Sequence, residues 1–93
     1  MLKVNEYFGG TVKSIALENA EGTATVGVME AGEYEFGTAT IELMTVTSGL
    51  LDVMLPGENS WTTYGKGETF RVEKDVRFKV KANGQVAYYC LYL

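Results

Sequence analysis

Carboxylates, hydroxyls and aromatic rings are the side chains with which this sequence could do chemistry. The chain has no histidine and a single cysteine, Cys90. Without histidine there is no Ser-His-Asp or Cys-His catalysis, and the usual zinc and iron sites lose their commonest ligand. Cys90 lies in an apolar run, which predicts a buried and unreactive thiol. No glycine-rich loop ending in Lys-Ser/Thr is present, so a phosphate-binding loop of that kind is excluded.

The segment from Gly32 to Gly49 has the most informative pattern of polar and aromatic residues. A period of two places Tyr34, Phe36 and Thr38 on one face of a strand, with Glu33 and Glu35 on the other. The aromatic rings are equally compatible with core packing and with contact to a ligand. A buried threonine hydroxyl would need a hydrogen-bond partner. Glu42 is either a functional carboxylate or a solvated loop residue, which is what most glutamates are.

Strands must position these residues, because alternation of period two recurs along the chain and helix signals are nearly absent. Turn residues separate the segments, and Asn83-Gly84 predicts a type I′ hairpin between the last two. Nine short strands in one domain, residues 1–93, indicate an antiparallel sandwich or barrel. The predicted strands are 11–18, 23–29, 33–36, 44–48, 50–55, 60–64, 69–72, 76–82 and 85–93.

Composition and charge exclude several classes of partner. The net charge is −4, whereas a nucleic-acid partner calls for a surplus of lysine and arginine on one face. Alternation with apolar residues turns Arg71 and Arg77, which are the only arginines, towards solvent. No segment is long and apolar enough to span a membrane, and the N-terminus lacks the features of a signal peptide. We therefore expect no nucleic-acid or membrane partner and a cytoplasmic location.

The spacing of glycines and of Glu42 resembles the two sequence motifs of the cupin superfamily. In that alignment the two first-motif histidines fall on Phe36 and Thr38, and the motif glutamate falls on Glu42. The second-motif histidine falls on Phe78. Three of the four positions that hold metal ligands in cupins therefore carry residues that do not bind metals.

A second resemblance runs from one end of the chain to the other. Its motifs are Asn5-Glu6-Tyr7-Phe8-Gly9-Gly10, Val26-Gly27-Val28-Met29, Gly32-Glu33-Tyr34-x-Phe36-x-Thr38, Glu42-x-Met44-x-Val46-x-Ser48-Gly49, Val53-x-Leu55-Pro56, Trp61 and Tyr88-x-Cys90-x-Tyr92-Leu93. In this order they resemble the pyrimidine/purine nucleoside phosphorylase family of small one-domain cupins. One departure is Glu73, which stands where the second motif has a proline.

The resemblance implies a jelly-roll, cupin-like β-barrel and an enzyme of the pentosyltransferase class. It would cleave nucleosides with inorganic phosphate to a free base and ribose 1-phosphate, as a homodimer and without a metal or other cofactor. The implied catalytic residue is Glu42, whose carboxylate would accept hydrogen bonds from the ribose hydroxyls. The implied substrate-binding residues are Tyr34, Phe36, Thr38, Met44, Phe78, Tyr88 and Tyr92.

Two other functions remain open from the residues alone. One is a metal-free cupin domain that binds a small polar metabolite and catalyses nothing. The other is a purely structural dimer module, which would explain the aromatic content but would leave Glu42 and Thr38 without a role. Phosphate-dependent release of free base from a nucleoside separates the enzyme from both.

Overall fold

The computed structural model describes residues 1–93, which form ten β-strands and one short 3-10 turn. The strands are β1 (Val4–Tyr7), β2 (Val12–Asn19), β3 (Gly22–Met29), β4 (Gly32–Gly37), β5 (Glu42–Ser48), β6 (Leu51–Met54), β7 (Thr62–Tyr64), β8 (Thr69–Val72), β9 (Arg77–Ala82) and β10 (Val86–Tyr92). The 3-10 turn, Phe8–Gly10, joins β1 to β2. No helix in this fold has the length and hydrophobicity needed to cross a bilayer.

The strands form two antiparallel sheets that face each other. The larger sheet has the order β1-β2-β3-β10-β5-β8, and the smaller has the order β4-β9-β6-β7. The predicted antiparallel all-β class is therefore confirmed. No hydrogen-bonded ladder joins the edges of the two sheets, so the molecule is an open two-layer sandwich rather than a closed barrel.

Alternation along the strands builds the core between the layers. In β9, for example, Phe78, Val80 and Ala82 are buried while Arg77 and Lys79 are exposed. This pattern is expected when one face of an antiparallel sheet packs inward and the other meets water. The core cluster contains Val12, Met29, Tyr34, Met44, Val46, Leu51, Val53, Phe70, Val72, Phe78, Val80, Ala82, Val86, Tyr88 and Cys90.

The predicted hairpin at Asn83-Gly84 is wrong. Strand β9 pairs with β4 and β6, whereas β10 pairs with β3 and β5, so the chain passes from the small sheet to the large one at this turn. Neither Asn83 nor Gly84 has the positive φ that a type I′ turn requires. A dipeptide preference is local and carries no information on which strands pair.

The N-terminal strand was not predicted from the sequence. Strand β1 pairs with β2 at the edge of the large sheet, and Val4 lies opposite Ile15. After β1, the residues Phe8, Gly9 and Gly10 all have positive φ, at 51°, 69° and 92°. The two glycines adopt this left-handed conformation readily, and the rings of Tyr7 and Phe8 beside this turn lie 6.4 and 5.5 Å from the ring of Phe36.

Candidate active site

A cavity of about 470 Å³ lies between the two sheets. This volume is within the range of about 300–1,000 Å³ found for small-molecule sites. Its wall mixes aromatic rings, hydroxyls and one carboxylate. The lining residues are Tyr7, Ser14, Thr23, Phe36, Gly37, Ala39, Thr40, Glu42, Met44, Phe78, Tyr88, Cys90 and Tyr92.

The floor of the cavity is the inner face of β10. Alternation points Tyr88, Cys90 and Tyr92 to the same side of the strand, and all three line the cavity. In the ladder with β5, Tyr92 lies opposite Glu42 and Cys90 lies opposite Met44. The floor is thus assembled from strands that are far apart in sequence, and the ladder between β10 and β5 fixes their positions.

The opposite wall is aromatic and comes from the small sheet. Phe36 on β4 lies directly opposite Phe78 on β9, with the ring centroids 6.0 Å apart. Tyr7 reaches the same wall from β1, and its ring meets Phe36 edge to face at 6.4 Å. Such a wall suits a flat ring that enters between the two sheets.

Glu42 is the one acidic residue on the cavity wall. The buried Cys90 thiol donates a hydrogen bond to Oε1 of Glu42 across 3.4 Å. Burial raises the pKa of the Glu42 carboxyl above its ordinary value, and the hydrogen bond from Cys90 opposes that rise. Burial, together with the neighbouring Glu42 carboxylate, raises the pKa of Cys90, so the thiol keeps its proton and acts as a donor.

The hydroxyls of Tyr88 and Tyr92 share the cavity wall with the carboxylate. The Tyr92 hydroxyl lies 3.0 Å from that of Thr25, and burial raises the pKa of Tyr92. Burial also raises the pKa of Tyr88 to about 12. No lysine or arginine lines the cavity. Arg71 and Arg77 are exposed, as predicted, and pair with Glu73 and Glu35 at 2.7 and 3.0 Å.

Six of the eight residues predicted to contact a substrate line this one cavity: Phe36, Glu42, Met44, Phe78, Tyr88 and Tyr92. Tyr34 does not line it. The residue is 7% exposed and belongs to the core, and its hydroxyl donates a hydrogen bond to the Glu30 carbonyl at 2.7 Å. Strand alternation predicted correctly that Tyr34 points inward, but that position lies away from the cavity.

Thr38 also lies outside the cavity wall. Its hydroxyl donates to the Glu73 carbonyl at 2.7 Å and accepts the Val76 backbone N–H at 3.1 Å. Strand β4 ends at Gly37, so the alternation that was extended to Thr38 stops one residue earlier. Thr38 joins the loop after β4 to the segment before β9.

Several lining residues were not predicted as site residues, among them Tyr7, Ser14, Thr23 and Thr40. Thr40 stands two residues before Glu42, the spacing that puts side chains on one side of an extended chain, and this signal could have found it. Tyr7 and Ser14 come from β1 and β2, and only the pairing of β1 with β2 and of β2 with β3 in the large sheet brings them to the cavity.

The positions that correspond to cupin metal ligands do not fit a metal ion. Phe36 and Phe78 present rings, and the Thr38 hydroxyl is engaged with two backbone groups. Glu42 alone offers a ligand, and its nearest neighbour, Cys90, is a protonated thiol rather than the thiolate that metals bind. The structure has no group of three His, Cys, Asp or Glu side chains that could hold a metal.

The molecule is a two-layer antiparallel β domain, and its cavity, with one carboxylate and an aromatic wall, is a candidate small-molecule site. Residues 2–92 match the model of the family described as pyrimidine/purine nucleoside phosphorylase. A pyrimidine/purine nucleoside phosphorylase of Pseudomonas putida is 58% identical over 92 residues, which cover 99% of this chain and 98% of the relative. The chain belongs to the pyrimidine/purine nucleoside phosphorylase family.

Solved structures show the same architecture. A protein of unknown function from Vibrio parahaemolyticus has a TM-score of 0.96 and 45% identity, and the match covers 100% of this chain and 99% of the other. The EutQ protein of Clostridium difficile has a TM-score of 0.74 at 18% identity, covering 97% of this chain and 79% of the other, and it supports the fold alone. The predicted family and the cupin-like fold class are both confirmed.

Proposed function

We propose that this protein is a nucleoside phosphorylase of broad specificity, cleaving purine and pyrimidine nucleosides with inorganic phosphate. The products are the free base and ribose 1-phosphate, which makes the enzyme a pentosyltransferase. The observation that carries the proposal is the family match over residues 2–92 in a chain with a cavity of suitable size and polarity.

The reaction needs no nucleophile from the protein. A phosphate oxygen forms a bond to C1′ of the ribose while the bond from C1′ to the base nitrogen breaks. The bonding electron pair stays on the base nitrogen, which takes up a proton. Positive charge develops on the sugar ring in between, as in related glycosyl transfer. The protein must hold the two substrates in line and stabilise that charge.

Glu42 is the group we assign to the charge and to the ribose hydroxyls. Its carboxylate lies on the cavity wall with Oε1 engaged by Cys90, which leaves Oε2 for a ligand. A carboxylate that is partly removed from water attracts positive charge more strongly than an exposed one. Hydrogen bonds that it accepts from the ribose also orient the sugar towards the incoming phosphate.

The aromatic wall is the surface we assign to the base. Phe36 and Phe78 present rings from neighbouring strands, and stacking of a base on an aromatic ring contributes about 1–3 kcal/mol. Stacking is tolerant of base identity because every base has a π-face, which is consistent with activity on both purines and pyrimidines. Met44, Tyr88 and Tyr92 would complete the contacts around the nucleoside from the floor.

Phosphate has no basic partner in this cavity, because no lysine or arginine lines it. Hydroxyl groups and backbone N–H groups are the donors that remain, and such groups can form anion sites without a cation. Phosphate bound in this way would lie away from the Glu42 carboxylate, since two negative charges side by side repel each other.

Release of free base tests the proposal. Uridine, adenosine and inosine are incubated with the protein with and without phosphate, and free base is measured. We expect release only when phosphate is present. Binding without turnover, seen as a rise in melting temperature with nucleoside, would instead identify a non-catalytic metabolite-binding domain. If no nucleoside is cleaved and none raises the melting temperature, both the enzyme and the binding-domain hypotheses are contradicted.

A substitution of Glu42 tests the assigned residue. Glu42→Gln keeps the shape and removes the charge, and we expect turnover to fall by about 10²-fold, the order found for one lost electrostatic contact. Glu33→Gln is the matched control, because Glu33 is exposed on the opposite face of β4 from the cavity. A Glu42→Gln protein that cleaves nucleosides at the parental rate would show that the site lies elsewhere.

We also propose a homodimer, supported by an apolar patch on the outer face of the large sheet. Val4, Ile15, Val26 and Val28 are between 43% and 56% exposed there, and the register puts Val4 beside Ile15 and Ile15 beside Val26. A second copy would remove this surface from water. Sedimentation should give a dimer at micromolar concentration, and Ile15→Glu should shift it towards monomer. A monomeric parental protein would contradict the proposal.

The compartment stays a prediction. The one cysteine, Cys90, is a free and buried thiol, which is consistent with a reducing compartment such as the cytoplasm.

A further inference from the structure

One hydroxyl on the cavity wall has no hydrogen-bond partner. The Oγ1 atom of Thr40 is the only buried side-chain nitrogen or oxygen in the structure without one. Buried polar groups in proteins are almost always paired, and an unpaired one destabilises the folded state. An exception on the wall of a ligand cavity calls for a functional explanation, because a valine of the same shape would fill this position without that penalty.

The chain around Thr40 is held firmly on both sides. The Thr38 backbone N–H donates to the Val76 carbonyl at 2.9 Å, and the Thr38 carbonyl accepts the Asp75 N–H at 3.1 Å. On the other side, the Leu93 N–H donates to the Ile41 carbonyl at 2.8 Å. The position of Thr40 is therefore set before any ligand arrives, as a binding residue requires.

Thr40 and Glu42 form a pair on one wall. They are two residues apart, with Thr40 in the bend before β5 and Glu42 at the first residue of β5, and both line the cavity. A carboxylate only accepts hydrogen bonds, whereas a threonine hydroxyl both donates and accepts. Two such groups on one cavity wall are complementary to two neighbouring hydroxyls of a ligand, and the 2′ and 3′ hydroxyls of ribose are such a pair.

The covered oxygen can reach a ligand through a single rotation. Threonine populates more than one χ1 rotamer, and a change of χ1 exchanges the places of its hydroxyl and methyl groups. In the free protein the hydroxyl is covered and has no hydrogen-bond partner. A ligand hydroxyl in the cavity supplies the missing partner and favours the rotamer that faces it.

We propose that Thr40 is a specificity-determining residue that, beside Glu42, binds one hydroxyl of the ribose and so favours ribonucleosides over deoxyribonucleosides. This inference rests on the proposed phosphorylase function. It predicts opposite effects of one substitution on stability and on activity, because the hydroxyl is unpaired in the free protein and paired in the complex.

Thr40→Val is the test, since it replaces the hydroxyl by a methyl group of nearly the same size. We expect the melting temperature of the free protein to rise or stay level. We expect kcat/KM for uridine to fall by about 10-fold or more, the order of one lost hydrogen bond in a closed site. The parental preference for uridine over 2′-deoxyuridine or 3′-deoxyuridine should shrink by the same factor, while KM for phosphate stays unchanged.

Two further variants serve as controls. Thr40→Ser restores the hydroxyl and should restore the preference for uridine. Thr62→Val makes the same chemical change at an exposed position on β7, outside the cavity, and should alter nothing. These controls separate the loss of a hydroxyl from the loss of a threonine.

Several outcomes would overturn the inference. They are an equal fall for all three nucleosides, an effect confined to KM for phosphate, or a loss of melting temperature that tracks the loss of activity. If the parental protein shows no phosphorolysis, the proposed function fails by itself. Ligand binding then still tests Thr40. The rise in melting temperature on adding uridine is compared with the rise on adding each deoxyuridine, in the parental protein and in Thr40→Val.

Discussion

Gly27 on β3 leaves the space that the ring of Tyr88 occupies. The two residues lie directly opposite each other in the ladder between β3 and β10. A Cβ added at Gly27 would stand 2.5 Å from both Cζ and Oη of Tyr88 and 2.8 Å from Cε1. Carbon atoms in contact prefer separations of about 3.5–4.0 Å, so the ring would have to move by roughly 1 Å. We predict that Gly27→Ala displaces Tyr88 into the cavity that it lines.

The expected cost follows from this overlap. Overpacking of a closed interior destabilises a protein by about 1–3 kcal/mol. For a domain of this length, that corresponds to a fall in melting temperature of roughly 4–20 °C. A misplacement of 1 Å in a catalytic site can cost about 10²-fold in rate, so we expect kcat/KM to fall by at least about 10-fold.

Thermal unfolding and nucleoside phosphorolysis measure the two effects. Gly84→Ala is the matched control, because nothing lies within 4 Å of the added Cβ and the backbone there has no positive φ. We expect that control to stay within about 0.5 kcal/mol of the parent. Removing the ring in Gly27→Ala/Tyr88→Ala should relieve the overlap, so the double variant should be more stable than the sum of the single effects predicts. A Gly27→Ala protein that melts and turns over like the parent would refute the close approach.

Three further predictions concern the carboxylate and metals. Cys90→Ala removes the hydrogen bond that opposes the raised pKa of Glu42, so the acid limb of the pH profile of kcat/KM should move to higher pH. Val86→Ala is the control, because Val86 is buried on the same strand but does not line the cavity, and it should leave the acid limb in place. An unchanged profile in Cys90→Ala would show that the thiol has no influence on the carboxylate. Because burial raises the folded-state pKa of Glu42 above its ordinary value of 4.5, the stability linked to its protonated form is present below that pH and is lost as pH rises through the folded-state pKa. Glu42→Gln should therefore match the parent in free energy of unfolding near pH 4 and exceed it increasingly towards pH 7, and a constant difference across this range would contradict the assignment. Treatment with EDTA should leave phosphorolysis unchanged, since three of the four positions of the cupin metal ligands hold residues that do not bind metals. Activity lost to EDTA and restored by a divalent metal would contradict this.

The alternation of apolar and polar residues was sufficient to predict the fold class and much of one wall of the candidate site. Alternation along β10 put Tyr88, Cys90 and Tyr92 on one face before any pairing was known, and that face is the floor of the cavity. The resemblance drew attention to Glu42, Phe36 and Phe78, which all line the cavity. A period of two is a property of each strand by itself, which is why the sequence can reveal it.

Pairing between strands was decided by the tertiary structure. The Asn83-Gly84 turn was expected to close a hairpin, yet β9 and β10 belong to different sheets. Thr38 was expected to face the cavity, yet β4 ends at Gly37, and its hydroxyl binds backbone groups near the start of β9. Both errors have one cause, which is that a local pattern does not say where a strand stops or which strand it meets.

The sequence by itself determined the all-β class of this one-domain chain and the family to which it belongs. It also supplied the aromatic residues and the glutamate of the cavity, in the order found in that family. The tertiary structure decided that Cys90 donates a hydrogen bond to Glu42, that Gly27 makes room for Tyr88, and that the hydroxyl of Thr40, on the cavity wall, has no hydrogen-bond partner. These relations join residues from β3, β5, β10 and the loop before β5. The first two exist only once the ladders bring distant segments within contact distance, because they depend on side-chain separations of a few ångströms that no spacing along the chain encodes.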